Sequence, residues 1–255
     1  MTLHYHTFGQ GQPVVILHGL FGSSDNWRGI AQKLANNGFQ VVTVDLANHG
    51  RSPHTTEVSF KSMAADLVLL IDRLQLTKIY LIGHSVGGKV AMVFSEDYSE
   101  RIEKLAVIDI APKAYSDQHS DLFDALISLD LSNFASRNEV SHALASAIPD
   151  LGVRQFLLMN LEVKDQQLRW KLNLNSLAAH YDNLLVSVCT DSVITIPTCF
   201  IRGEQSDYIL DNDAELINDI FTNAVIITIK GAGHWVHADA PELFLTYITE
   251  FFDND

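Results

Sequence analysis

Short apolar, β-branched runs recur at residues 14–17, 41–44, 79–82, 105–108, 199–201 and 225–229, each followed within two residues by Gly or Asp. Runs without polar alternation fit strands covered on both faces, as in a parallel sheet, better than strands with one wet face. Between several of them, residues 26–36, 60–74 and 86–98 carry apolar positions at helical spacing, as crossover helices require. Residues 4–7 predict an added edge strand. The pattern predicts an α/β protein with a mostly parallel central sheet and helices on both faces.

The alternation stops between residues 114 and 197. Segments 121–129, 138–147 and 153–160 read as helices there, with no strong strand among them. Neither flank has the composition of a flexible linker, so residues 114–196 read as a helical cap inserted in a core made of 1–113 and 197–255. An insertion at the carboxyl ends of strands would lie over the crevice where open α/β sheets bind ligands.

Composition narrows the partners. The 255 residues carry 17 Lys and Arg against 31 Asp and Glu, a formal charge of -14, which opposes nucleic acid and anionic lipid surfaces. No apolar stretch approaches the roughly 20 residues of a spanning helix, and residues 1–20 show neither a basic start nor a small-residue cleavage site. The expectation is a cytoplasmic protein with no membrane or nucleic-acid partner. Cys189 and Cys199 match no zinc or redox spacing and read as free thiols.

The sharpest local signal is the strand at 79–82 running into Gly83-His84-Ser85-Val86-Gly87 and then a helical pattern. Strand, tight turn and helix make a nucleophile elbow, with Ser85 on a strained turn and its hydroxyl projecting above the sheet. A phosphate-loop reading of Gly83, Gly88 and Lys89 fails at its last position, where Val90 has no hydroxyl for a metal ion. Gly231-Ala232-Gly233-His234-Trp235 follows the late strand and offers His234 as a general base. In Leu17-His18-Gly19-Leu20-Phe21-Gly22, the backbone N–H of Leu20, or else of Phe21, could face that of Val86 across an oxyanion.

The acid has two candidates, because Asp109 and Asp207 follow the strands on either side of the insertion. Asp45 also ends a strand, but Asn48-His49-Gly50-Arg51-Ser52 follows, so it is assigned to fixing that turn. His237 lies three residues from His234, yet no Glu supplies the H-E-x-x-H zinc pattern, and no metal is expected. His84, Phe123, Phe156 and Trp235 are the candidate pocket residues, the two phenylalanines belonging to an apolar set within the insertion.

The order of His18-Gly19, the elbow at 83–87, an Asp and Gly233-His234 resembles the α/β-hydrolase family over nearly the whole chain outside the insertion. More narrowly, residues 18–23, 48–52, 108–112 and 231–237 resemble YbfF-type bacterial esterases. The resemblance implies cofactor-free hydrolysis of a small-molecule ester or thioester, and it favours Asp109 over Asp207 as the acid. Perhydrolysis and carbon-carbon bond hydrolysis run on the same scaffold with the same serine. A ligand-sensing protein that kept the fold is the alternative of a different class.

Overall fold

The computed structural model describes residues 1–253. Its strands and helices follow in order as β1 (Tyr5–Phe8), β2 (Gln12–Leu17), α1 (Arg28–Asn36), β3 (Phe39–Val44), α2 (Phe60–Arg73), β4 (Ile79–His84), α3 (Val86–Asp97) and β5 (Ile102–Ile108). The inserted stretch holds α4 (Ser120–Ile127), α5 (Arg137–Ala143), α6 (Leu151–Leu158), β6 (Leu161–Lys164), β7 (Gln167–Trp170) and α7 (Leu174–Ala179). The sheet then resumes with β8 (Thr198–Gly203), α8 (Asp213–Ile220), β9 (Ala224–Ile229), α9 (Val236–Asp239) and α10 (Pro241–Asp253).

Seven strands form one sheet in the order β1-β3-β2-β4-β5-β8-β9. Only the edge strand β1 is antiparallel to its neighbour, and all other pairings are parallel. Alternate residues of each strand point to opposite faces, and the central strands are covered on both. On one side Val14, Ile16, Val41 and Ile82 pack with Ile30 and Leu34 of α1 and Phe244 and Ile248 of α10. On the other, Val15, Leu17, Val42 and Leu81 pack with residues of α2, α3 and α8. Burying a side chain such as Phe244, which is 0% exposed, is worth about 1.5–3 kcal/mol. Helix α2 begins where Ser59 caps it, its hydroxyl oxygen accepting from the Ser62 N–H at 3.1 Å, a cap worth about 1 kcal/mol.

The inserted stretch contains a strand pair that its sequence does not predict. Strands β6 and β7 form an antiparallel hairpin around Asp165 and Gln166, whose φ angles are +51° and +64°. Two consecutive left-handed residues give the two-residue hairpin turn, usually signalled by Asn-Gly or Asp-Gly. Here neither position is Gly, so the signal is silent. Leu161 and Leu168 turn inward and are buried.

Phe123, Leu126, Val140, Leu144 and Leu157 of the insertion join the apolar cluster of the α2/α3 face. The two chain crossings into and out of it are tied together. The Tyr115 N–H donates to the Leu185 carbonyl at 2.8 Å and the Val188 N–H to the Pro112 carbonyl at 2.9 Å. Between them lies Lys89 of α3, 1% exposed. Its ammonium donates to the carbonyls of Lys113, at 2.7 Å, and Val186 and sits 4.9 Å from the centre of the Tyr115 ring. The lysine of the phosphate-loop reading is thus spent on the base of the insertion.

Candidate active site

Beside the sheet's switch in strand order, where β2 leads to one side and β4 to the other, loops from the carboxyl ends of β2, β4, β5, β8 and β9 come together. Ser85 sits between β4 and α3 with φ +53° and ψ -121°, a conformation that costs a non-glycine residue about 1–3 kcal/mol. Close packing holds it there. A Cβ on Gly83 would lie 2.3 Å from the Gly87 carbonyl oxygen, and one on Gly87 would lie 2.5 Å from that of His18, so only glycine lets the turn close against β2. Helix α3 starts at Val86, whose N–H has no partner within the helix.

His234 lies in the loop after β9. Its Nδ1–H donates to Asp109 Oδ2 at 2.7 Å. Asp109 follows β5 in a left-handed conformation, φ +52°, with its side chain fully buried. The same carboxylate accepts the Gly203 N–H at 3.0 Å and the Ser206 hydroxyl, so its buried oxygens are satisfied. Asp207, the other candidate, is exposed in the next turn. Its neighbour Tyr208 stacks on the His234 ring with centroids 4.0 Å apart and planes at 21°. The Tyr115 hydroxyl donates to the Tyr208 carbonyl at 2.6 Å and accepts the Ala111 N–H at 2.8 Å, clamping together the loops that carry Asp109 and Tyr208. Ser206, Tyr208 and Tyr115 were not legible as site residues, since nothing in their local sequence marks them.

Buried histidines brace the loops as neutral rings. His84 Nε2–H donates to the His234 carbonyl at 2.9 Å. Burial, with His234 and His237 alongside, holds its pKa well below the ordinary histidine value. His18 donates from Nδ1 to the Gly19 carbonyl at 2.8 Å and accepts the Leu46 N–H on Nε2 at 3.0 Å, and burial lowers its pKa too. His237 stacks on Trp27 at 3.9 Å, and burial and then His234 lower its pKa to about 3. Asp45 accepts the N–H groups of Ser24 at 2.6 Å and Arg51 at 2.8 Å, fixing the turn after β3. Cys199 and Cys189 are free and buried. Burial pushes the Cys199 thiol up to about 12 and raises that of Cys189 further, so neither is a thiolate at neutral pH.

A cavity of about 250 Å³ opens above Ser85. Loop residues Leu20, Phe21, His84, His234 and Trp235 line one side, and His119, Leu122, Val153, Phe156 and Leu157 of the insertion line the other. Of the pocket residues expected from sequence, His84, Phe156 and Trp235 are in the lining. Phe123 is not: its ring is buried one layer back, against Phe21 at 4.8 Å and Tyr181 at 5.4 Å, because it lies on the face of α4 turned into the core. Phe21 has φ +59°, and the turn that presents Leu20 is closed by the Gly22 N–H donating to the Gly19 carbonyl at 2.9 Å. Among the described residues, no helix is long and apolar enough to cross a membrane.

Comparison with known proteins gives a concordant result. The sequence profile of the α/β hydrolase fold matches residues 12–241. The chain is 37% identical over 261 residues to the sn-1-specific diacylglycerol lipase ABHD11 of Danio rerio, covering 98% of this chain and 82% of that one. It is 34% identical over 243 residues to esterase YbfF of Escherichia coli, covering 95% and 93%. A solved structure described as a marine microorganism esterase superposes with a TM-score of 0.96 at 41% identity, covering 98% and 99%.

Proposed function

The chain belongs to the α/β-hydrolase family, and on that premise we propose that it is a serine hydrolase of small-molecule carboxylic esters working through an acyl-enzyme on Ser85. The His234 Nδ1–H bond to buried Asp109 carries the reading. It fixes the tautomer in which Nε2 has a free lone pair, the state a general base requires. Nε2 takes the proton of the Ser85 hydroxyl as Oγ attacks the ester carbonyl carbon. The resulting oxyanion accepts from the N–H groups of Val86 and Leu20, each such donor being worth about 3–4 kcal/mol in the barrier. When the C–O bond to the alcohol breaks, Nε2–H gives its proton to the leaving oxygen. Water enters, His234 takes one of its protons, and hydroxide adds to the acyl carbon. Collapse of that intermediate returns the proton to Ser85 Oγ and releases the acid.

Every group in this cycle is a residue of the chain or water. Residues 114–196 act in it as a cap over a core of 1–113 and 197–255, shielding the cavity from bulk water. Carboxylic esters suit the site better than acyl-CoA thioesters, whose phosphates would need free cations. Lys113 pairs with Asp213 at 2.5 Å, Lys89 is buried, and Arg154 donates to the carbonyls of Ile148 and Pro149.

The test is hydrolysis of 4-nitrophenyl acetate and butyrate by wild type and Ser85→Ala. The expected loss in turnover is on the order of 10⁶. A wild type inert to a broad ester panel, or an alanine variant that keeps its rate, contradicts the proposal.

A further inference from the structure

Ser85 borders a second and much smaller cavity, of about 30 Å³. It shares Leu20, Ser85, His119 and Tyr208 with the large one. The two are therefore lobes meeting at the serine. They differ in which catalytic groups they reach. His234 lines the large lobe and is absent from the small one, whereas Val86 lines the small lobe and is absent from the large one.

That asymmetry sorts the two halves of an ester. The imidazole that takes the serine proton must deliver it to the leaving oxygen, so the alcohol has to depart on the side of His234. The carbonyl oxygen sits between the amides of Val86 and Leu20 at the mouth of the small lobe, and the acyl chain takes the rest of that lobe, along Tyr115, Tyr181 and Leu184. We infer that the small lobe is the acyl site and the large lobe the alcohol site, so that the preferred substrates are acetyl- or propionyl-sized esters of bulky apolar alcohols. This rests on Ser85 and His234 acting as proposed above.

The sizes decide the matter. A water-sized group needs about 10–15 Å³ of such volume, so the small lobe holds two or three heavy atoms, and the large lobe holds a ring or a branched chain. The small lobe is walled by side chains that do not yield easily. Tyr181 and Leu184 are buried, and Tyr115 is pinned at its hydroxyl from both sides.

The experiment uses two ester series with the purified full chain. With 1-naphthol as the fixed alcohol and the acyl group lengthened from acetyl to octanoyl, kcat/KM should be highest at two or three carbons. It should fall about tenfold or more by hexanoyl. With acetyl fixed and the alcohol enlarged from methyl to naphthyl, it should hold or rise. Leu184→Ala should raise the hexanoate-to-acetate ratio, and Tyr181→Ala serves if that variant does not fold; the ratio cancels differences in folded fraction. Hexanoate or octanoate turned over as well as acetate, or an unchanged ratio in a folded variant, overturns the lobe assignment alone. No turnover of any ester, together with no covalent phosphonate adduct at position 85, removes the serine-hydrolase reading and this inference with it.

Discussion

The loops at the carboxyl edge of the sheet and the segment inserted between β5 and β8 both line the large cavity, but they are held in different ways. In the loops, polar side chains and backbone groups lock one another: His84 holds the His234 carbonyl, Asp109 holds the His234 ring, and the Gly203 N–H and the Ser206 hydroxyl hold Asp109. Apart from His119, the insertion faces the cavity with Leu122, Val153, Phe156 and Leu157, placed by apolar packing. The insertion has polar ties to the core, among them Asn160 Nδ2–H to the Phe21 carbonyl at 2.7 Å, the Asn173 N–H to the Asn48 carbonyl at 3.0 Å and the Ser176 hydroxyl to the Thr55 carbonyl at 2.7 Å, but these four side chains make none of them. A hydrogen-bonded frame fixes atoms to within fractions of an ångström, as bond making requires. Apolar contact fixes only shape and sets what binds. Rate and selectivity are thereby assigned to different parts of the chain.

The strongest way to break that division is through the acid. Asp109→Asn should lower kcat on the order of 10⁴-fold, because an amide at this position favours the wrong imidazole tautomer. Asp207→Asn, exposed and off the ring, should stay near wild type. Steady-state kinetics on the two variants decides it, and equal mild losses would mean that the frame around Asp109 is structural. Next in size is His84→Ala, which removes the donor to the His234 carbonyl. A loss of about 10² in kcat with little change in KM is expected, the cost of a loop misplaced by about an ångström. A change confined to KM would place His84 with the binding surface instead.

These contrasts also explain what could be read from the sequence. The elbow and the His234 loop are legible because their backbones need glycine at fixed positions, and glycine spacing is visible in one dimension. The third member is ambiguous, since Asp109 and Asp207 both follow strands flanking the insertion. What separates them in space is the convergence of Gly203, Ser206 and His234 on one carboxylate, which no local pattern records. Strand positions in the sheet are legible from their unbroken apolar runs. The β6–β7 hairpin is not, because Asp165 and Gln166 adopt positive φ without a glycine to announce it. Phe123 and Phe156 look alike as aromatic residues on helices of the insertion. Only the packing of those helices sends one ring into the core and the other into the cavity.

On the selectivity side, Phe156→Ala should raise KM about three- to tenfold and leave kcat nearly unchanged, the signature of lost uniform binding. A fall in kcat of similar size would show that the insertion helps to position reacting atoms.

A stability effect, read on a separate scale from these rates, concerns the place where the two regions join. Burial lowers the Lys89 pKa from 10.5 to about 7. Between those values the unfolded chain keeps a proton that the folded chain has released, so stability rises with pH across this window. Below about 7 both states carry the proton and the contribution is constant. The Tm of wild type relative to Lys89→Met should therefore climb from pH 7 to pH 9.5. A pH-independent difference would mean that the ammonium is not held against its own desolvation.

The central claim is that the hydroxyl of Ser85 is the nucleophile, with His234 as its base. Treating the folded chain with a fluorophosphonate and mapping the modified peptide by mass spectrometry tests it most directly. The account predicts one phosphonyl group, on Ser85, formed rapidly in wild type and very slowly in His234→Ala. Label on another residue, or labelling of Ser85 at the same rate without the imidazole, would contradict it.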